Sequence, residues 1–435
     1  MTMTNPTYLQ NQPFAPLTPA SLAEILGLTI KRDNENKIAA FLCQLSAYTR
    51  DSQFNISFNA PSSTGKSYIP TEIARLFPKE DIIELAYCSP TAFFHDVGEY
   101  NPEVGGYEVE FGRKILIFLD QPHGDLLAKL RPLLSHDEPE ILIKITDKTQ
   151  KHGLKAKNVV IRGYPAVIFC TAGLRIDEQE ATRFLLLSPE IHQEKIREAV
   201  VQAIKKESDR EHYGEDLDAD PGRQLLKERI LAIRDAGIED ITVPQLAEVE
   251  ERFLGRHKML KPRHQRDVKR LMAIIKSLAL LNLWHRERTG NSIATAPEDI
   301  EAGFALWERL SISQELNLPP YIYNLFMDVI YTEWAESNGG TVENPPQLVG
   351  SLGITRDAIY KRHYRVYDRM IDVHKLRQEI LPMLETAGLI TQEPSPDDKR
   401  KLLVYPTAFN TGANNDDDEG GAEEVGWDDI SKIPF

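Results

Sequence analysis

Lys66 and Ser67 close a short loop of small residues, Ala60-Pro61-Ser62-Ser63-Thr64-Gly65, which follows the alternating apolar stretch 54–59. The spacing is that of G-x-x-x-x-G-K-S, with alanine in place of the first glycine. Such a loop, set between a strand and a helix, turns successive backbone N–H groups inward and makes a concave anion site. The lysine then reaches the outer phosphates of a bound polyphosphate, and the serine hydroxyl holds Mg²⁺. The alternative is a lysine at an ordinary strand–helix turn.

A second set of residues would complete such a site. The apolar run 115–119 ends in Asp120, a carboxylate placed to hold or orient Mg²⁺. Gln121 stands next, where an acid would polarise an attacking water; an amide orients water but does not take its proton near neutral pH. Hydrolysis is then slow, or another acid such as Glu99 or Asp125 supplies the base. A further buried run, 166–171, ends in the hydroxyl of Thr171, and Arg183 follows it. Arg183 is a candidate for an arginine supplied across a subunit boundary, or else pairs on the surface with Glu178 or Glu180. Arg266, with Arg263 as the weaker choice, is a candidate phosphate sensor; both also suit DNA or solvent.

These residues need a scaffold. Residues 54–59, 81–87, 114–119 and 166–171 read as strands, with helices at 21–26, 36–48 and 65–76, which predicts a mainly parallel α/β sheet. Residues 141–146 and 158–162 read as hairpin arms with a tip at 151–157. The stretch 189–310 is helical, with 269–283 as its clearest helix and a loop over 205–222. Beyond it, 321–334, a helix-turn-helix-like pair at 346–353 and 355–367, a helix at 374–387 and a strand at 401–405 follow the winged-helix order. The divisions are a flexible arm over 1–18, an α/β domain over 19–188, a helical lid and linker over 189–315, a winged helix over 316–408 and an acidic tail over 409–435.

Composition excludes several classes. Three scattered cysteines, Cys43, Cys88 and Cys170, show no zinc or disulfide spacing and suit a reducing compartment. No apolar run of about 20 residues exists, so neither a membrane span nor a secretory leader is expected, and the reading is cytoplasmic. The net charge is −15, yet eight acidic residues against Lys432 place −7 of it after residue 410. Local basic patches at 256–270 and 361–369 therefore remain free to meet nucleic acid.

Residues 21–190 resemble the AAA+ helicase-like ATPases of plasmids, phages and other mobile elements, distant relatives of the MCM replicative helicases. The carrying residues are Ala60–Ser67, Ser89-Pro90 with the following aromatic pair, Leu130-Arg131-Pro132-Leu133-Leu134-Ser135, Gly163-Tyr164-Pro165 with Thr171, and Glu180-Ala181-Thr182-Arg183. The resemblance implies an α/β P-loop AAA+ core with helical lid and winged helix, ATP and Mg²⁺ as cofactors, a hexameric ring, and Thr171 as γ-phosphate sensor. It also implies a hairpin facing a central pore, here with Lys151, His152, Lys155 and Lys157, which otherwise form an ordinary solvated turn. The implied activity is an ATP hydrolase driving a DNA helicase or translocase in replication of a mobile element. The alternatives are an ATP-gated assembly factor or recruiter with slow turnover, and a winged-helix transcriptional regulator.

The basic, aromatic stretch with Arg356, Lys361, Arg362 and Arg365 is the expected recognition helix for duplex DNA, with Lys399, Arg400 and Lys401 on the wing; such modules also dock proteins. The chain ends in Trp427-Asp428-Asp429-Ile430-Ser431-Lys432-Ile433-Pro434-Phe435, which resembles the tails of bacterial single-stranded DNA-binding proteins. Phe435 and its carboxylate would anchor in an apolar pocket with a basic rim, while Asp428 and Asp429 steer. A primase or another replication protein is the expected partner; the alternative is a solubilising tail. Deleting Ile433, Pro434 and Phe435 is expected to weaken capture of the partner or to raise DNA affinity; unchanged values for both would remove the tail's role.

Overall fold

The computed structural model describes residues 13–86, 99–122, 124–147, 155–171, 183–257, 259–396 and 398–407, the side chains of 145–147 and 155–157 aside. Nine strands occupy its first half: β1 (Ile56–Asn59), β2 (Ile82–Leu85), β3 (Glu99–Asn101), β4 (Gly106–Glu110), β5 (Ile115–Phe118), β6 (Glu140–Asp147), β7 (Lys155–Arg162), β8 (Ala166–Thr171) and β9 (Leu185–Leu187). Five of them form a parallel sheet in the order β2-β5-β8-β1-β9. Every residue of β1, β5, β8 and β9 is buried, as a sheet covered on both faces requires. This is the α/β core that the strand–helix alternation predicts.

The remaining four strands form a second sheet, β3-β4-β7-β6. Its hairpin, β6 with β7, runs antiparallel from Glu140↔Arg162 to Asp147↔Lys155, three residues longer at the start of β7 and one at each end of β6 than the predicted arms. Arg162 fastens the sheet across strands, pairing with Glu108 of β4 and with Glu140 of β6 at 2.7 Å.

One face of the main sheet packs Ile56, Phe58, Ile117 and Ile168 against helices Pro19–Leu26 and Asn34–Ser46. The other packs Leu116, Phe118, Val167 and Phe169 against helix Gly124–Leu134 and the inner face of the second sheet, including Val109, Val159 and Ile161. Helix Gly124–Leu134, absent from the predicted elements, carries Pro132 within it, a residue that weakens a helical pattern.

Two expectations, the loose arm and the loop over 205–222, are corrected here. The arm over 1–18 is not loose from Phe14 onward: Phe14 is buried against Trp284, its carbonyl meets His285 Nε2 at 2.8 Å, and Leu17 N donates to Asn282 Oδ1 at 2.8 Å. The helical stretch over 189–315 shares a core with the α/β domain. Helix His264–Leu281 buries almost every residue after Arg270, and Leu271, Ile274, Leu278 and Leu281 share one apolar core with Phe41 and Leu45. A helix apolar on all sides must be enclosed rather than laid on a surface. Finally, the loop over 205–222 is helical. Helices Gln193–Ser208, Arg210–Ala219 and Pro221–Ala236 follow one another, the second and third begun by Asp209 and Asp220, whose carboxylates accept from His212 N and Arg223 N. A short sheet of β10 (Asp240–Thr242), β11 (Arg288–Thr289) and β12 (Ser292–Ala294) also interrupts the helical region.

The C-terminal unit has its own core of Trp334, Phe326, Ile359, Leu381 and Val404, among others. A continuous helical stretch, Pro320–Leu325, Phe326–Tyr331 and Thr332–Ser337, has a wide π turn in its middle segment. Strand β13 (Ile354–Thr355), helix Arg356–Tyr367, a second helical stretch from Val373 to Thr386, and the hairpin β14 (Ile390–Pro394) with β15 (Leu402–Pro406) follow. The first helix expected of the pair, 346–353, is absent: Pro345 and Pro346 open it, and Gly350 sits at φ +83°. Helix Arg356–Tyr367 is therefore preceded by β13 and followed by the helical stretch from Val373 to Thr386.

His136 gives a stability test. It sits at φ +54° and stacks edge-on against Tyr164, and its Nε2 is buried with no hydrogen-bond partner among the described residues. Burial lowers its pKa from 6.5 to about 4. A histidine held neutral leaves the unfolded chain binding the proton first, so stability falls as pH drops from about 6.5 towards 4, by up to about 3 kcal/mol. His136→Asn keeps a side chain that tolerates positive φ. Denaturant melts at pH 7 and pH 5 should differ less in the variant than in the parent. Some slope will persist, because His264 and His363 are lowered by burial in the same sense.

Candidate phosphate-binding site

The register of the main sheet brings the chemistry together. Asn59 pairs with Thr171, and Phe118 with Phe169, so β1, β5 and β8 end side by side. The Ala60–Ser67 loop leaves the end of β1, Asp120 and Gln121 follow β5, and Thr171 is the last residue of β8. Ligand sites of open parallel sheets lie at this carboxyl edge.

The loop's backbone is built for an inward-turned path. Ser63 adopts φ +65° and Gly65 φ +92°. For serine this left-handed conformation costs roughly 1–2 kcal/mol, and Gly65 meets the same demand without a Cβ penalty. Ala60 is absent from the positive-φ residues, and its N donates to Thr171 O at 3.2 Å, continuing the ladder. Its methyl is buried without strain there, so alanine is accepted where glycine is usual. Thr64 Oγ1 closes the turn on Pro61 O at 2.9 Å. Ser62 and Ser63 are exposed, and Lys66 is half-buried.

Behind the loop the side chains interlock. Ser67 Oγ donates to Leu119 O at 3.3 Å, next to Asp120. Gln121 N donates to Asp120 Oδ1 at 2.8 Å. Thr171 Oγ1 donates to Gln121 Oε1 at 2.9 Å, which fixes the amide with its NH₂ turned away from the threonine. Cys170 Sγ contacts Lys66 O at 3.3 Å. Burial pushes the Cys170 thiol up to about 11 against the opposing pull of Ser67 and Lys66, so it stays protonated at neutral pH. Sequence reasoning had set this cysteine aside; its place directly before Thr171 on a buried strand was the available signal.

The loop also walls a cavity of about 800 Å³, within the range of small-ligand pockets. Ser62, Ser63, Thr64 and Gly65 form one end, with Tyr68 and Ile69. Helix Gln193–Ser208 and residues 367–375 of the C-terminal unit form the sides. Asp33, at φ +50°, anchors the floor: its carboxylate pairs with Lys195 and accepts from Asn36 Nδ2 at 2.9 Å and Glu190 N at 2.7 Å.

Other expected residues lie elsewhere. Arg183 Nε donates to Ser135 Oγ at 2.9 Å within the same chain. Arg266 is exposed at the start of helix His264–Leu281 and does not wall the cavity, while Arg263 is held by Asp267 at 2.9 Å. Glu99 and Asp125 are both exposed, on β3 and on helix Gly124–Leu134. Lys155 and Lys157 lie on β7; Lys151 and His152 fall outside the described residues, as do Glu178, Glu180, Cys88 and the tail with Trp427, Asp428, Asp429, Ile433, Pro434 and Phe435. In helix Arg356–Tyr367, Arg362 is bound to Glu336 at 3.0 Å, Lys361 to Asp357 at 2.7 Å, and Arg356 Nη2 donates to Gln392 Oε1 at 3.0 Å. Arg365 is exposed, 3.9 Å from Glu333. These pairings occupy much of the basic charge that the sequence presents.

No protein-family model and no curated protein matches the chain. Among solved structures, a full-length MCM homolog from Methanopyrus kandleri aligns at 13% identity and TM-score 0.38, covering 71% of this chain and 62% of that one. The chain thus spans under two thirds of that protein's length. The active helicase Cch of SCCmec type IV aligns at 12% identity and TM-score 0.32, covering 93% and 75%. Likeness at this level identifies no family, and the site rests on its own geometry. Among the described residues no helix is long and apolar enough to cross a membrane, and no cluster of metal-ligating side chains is preassembled.

Gln121 offers a direct test of that geometry. A glutamate at this position could take a proton from water where the amide cannot. Gln121→Glu is expected to raise the rate of nucleotide hydrolysis by about tenfold or more. Thr171→Ala, which frees the amide, should lower whatever rate the parent shows. Phosphate release by both variants and the parent measures this.

Proposed function

We propose that the chain is an ATP-dependent DNA motor, a helicase- or translocase-like AAA+ P-loop ATPase serving replication of a mobile element. The observation that carries the reading is the convergence of Lys66, Ser67, Asp120, Gln121 and Thr171 at the carboxyl ends of adjacent parallel strands. ATP would lay its phosphates in the Ala60–Gly65 loop, with Lys66 on the β- and γ-phosphates and Mg²⁺ between Ser67 and Asp120. The donor set fits: the Ser67 hydroxyl and the Asp120 carboxylate are hard oxygen ligands, a partial shell that Mg²⁺ completes with water and phosphate oxygens. Gln121, held by Thr171, would orient the attacking water.

Arg183 is proposed to act from a neighbouring subunit of a ring, with a hexamer favoured, where it would complete the charge around the γ-phosphate. Its bond to Ser135 would then be exchanged on assembly. Arg266 is proposed for a similar role rather than for the cavity of its own chain. Single-stranded DNA would pass the β6–β7 hairpin with Lys151, His152, Lys155 and Lys157. The order helix, strand, helix, helix, hairpin supports a winged helix in the C-terminal unit. In such a pair the second helix enters the groove, so His374, Lys375 and Arg377 join Arg356 and Arg365 as proposed duplex contacts. Their ion pairs with Asp357 and Glu336 leave Lys361 and Arg362 as the weaker candidates.

One observation favours the second reading, an ATP-gated assembly factor or recruiter: the residue after Asp120 is an amide already hydrogen-bonded by Thr171. Strand displacement by the purified chain with Mg-ATP separates the two. The motor predicts unwinding that Lys66→Ala abolishes; normal unwinding by that variant rules the mechanism out. ATP-dependent DNA binding with no displacement selects the gated binder.

A further inference from the structure

The cavity that begins at the Ala60–Ser67 loop does not end within the α/β core. It is lined as well by Tyr367, Met370 and Ile371 of the C-terminal unit and by Ile196 and Val200 of helix Gln193–Ser208. Those last two residues, with Ala199 and Ala203, lie at helical spacing on one face and line the space. Met370 is 63% exposed, Val200 52% and Ile196 44%, so the lining from both units includes uncovered apolar surface. Ile30, Tyr68 and Ile69 line it as well.

The C-terminal unit is fixed in this place by a hydrogen-bonded chain to β1. Tyr321 N donates to the Ser188 hydroxyl at 3.0 Å, and that hydroxyl donates to the carbonyl of Asn59, the residue just before the loop. Asn36 Nδ2 holds the carbonyl of the same Ser188 at 2.8 Å. The loop at 368–371 is itself shaped by Asp368 at φ +49° and by His363, whose Nδ1 donates to Arg369 O at 2.6 Å.

We propose that this cavity takes the base and ribose of the nucleotide, and that the C-terminal unit, through Tyr367, Met370 and Ile371, forms one wall of the site in the same chain. The inference rests on the reading that the Ala60–Ser67 loop holds the phosphates. The occupant follows from continuity: Ser62 to Gly65 line the same space, so a group attached to phosphates in the loop extends between the two apolar walls. A flat heteroaromatic ring suits walls of isoleucine, valine, methionine and tyrosine. A polar ribose suits the Lys31, Asp33 and Glu190 end. Because the base touches both units, nucleotide affinity and the seating of the C-terminal unit are reciprocally linked. The unit that reads as a DNA contact is then also a sensor of nucleotide occupancy.

The test compares Mg-ATP with Mg-tripolyphosphate, which has the phosphates and no base, by calorimetry on the full chain. The parent should bind ATP more tightly. Met370→Asp and Val200→Asp, at exposed lining positions of the two units, should each weaken ATP about tenfold or more, with unchanged thermal melts confirming that both variants fold. Both should leave tripolyphosphate within about twofold, whereas Lys66→Ala weakens both ligands. Equal affinity of the parent for the two ligands, or ATP binding unchanged in both aspartate variants, overturns the base site and leaves the phosphate reading standing. A parent that binds neither ligand overturns both.

Discussion

Parallel pairing of β1 with β8, and of β8 with β5, is the constraint from which the site follows. A parallel register sets the carboxyl ends of neighbouring strands at one level, so groups far apart in sequence emerge together. Asn59 lies opposite Thr171, and the backbone of Ala60 extends the ladder to the carbonyl of Thr171. A slip of one residue would turn every side chain of a strand to the opposite face. It would drive Ile56, Phe58, Ile168 and Cys170 out of their core and separate Thr171 from Gln121. Burial on both faces of the sheet thereby enforces the placement of five polar groups that contribute little to stability themselves.

The same logic shows which parts were legible in advance. The runs Ile115–Phe118 and Ala166–Cys170 are apolar throughout and short, the pattern of a doubly covered strand. The Ala60–Ser67 loop announces itself by spacing, and its helix by position. By contrast, β9, β10, β11 and β12 have two or three residues each, too few to show a period. Helix Gly124–Leu134 was hidden by Pro132, and the helices over 210–236 by a charged surface with little apolar content, which neighbouring packing and aspartate caps overcame. The Thr171–Gln121 bond and the Cys170–Lys66 contact are tertiary facts. They join residues 50 and 104 positions apart, a separation that no local pattern encodes.

Charge was the poorest guide. The basic stretch at 356–365 looked free to meet phosphates, yet Arg362 is half-buried between Glu333 and Glu336, and Lys361 is shared with Asp357 four residues earlier on the same helix. A surface pair of the second kind is weak and exchanges readily with a phosphate. A half-buried arginine bound by two carboxylates does not, because freeing it leaves their charge uncompensated. Counting cations in a sequence cannot separate these cases, since it is the partner's position in space that decides them. The same holds for Arg183, whose tie to Ser135 must be exchanged before it can serve another subunit.

Ser188 gives these observations a common centre. Its hydroxyl stands between the carbonyl of Asn59, on the strand that feeds the phosphate loop, and the amide of Tyr321, at the first turn of the C-terminal unit. It is buried, and its neighbour Glu190 caps onto Asp33, which pairs with Lys195 of the cavity's wall. A displacement of the loop along the axis of β1 would therefore be felt at Tyr321 without crossing solvent. Buried hydrogen bonds resist such displacement, since each one broken in a dry interior strands a polar group at a cost of roughly 1–3 kcal/mol. The two units are thus coupled by a short network whose disruption is expensive, and a ligand at the loop shifts their seating by as much as its affinity differs between the seated and unseated states.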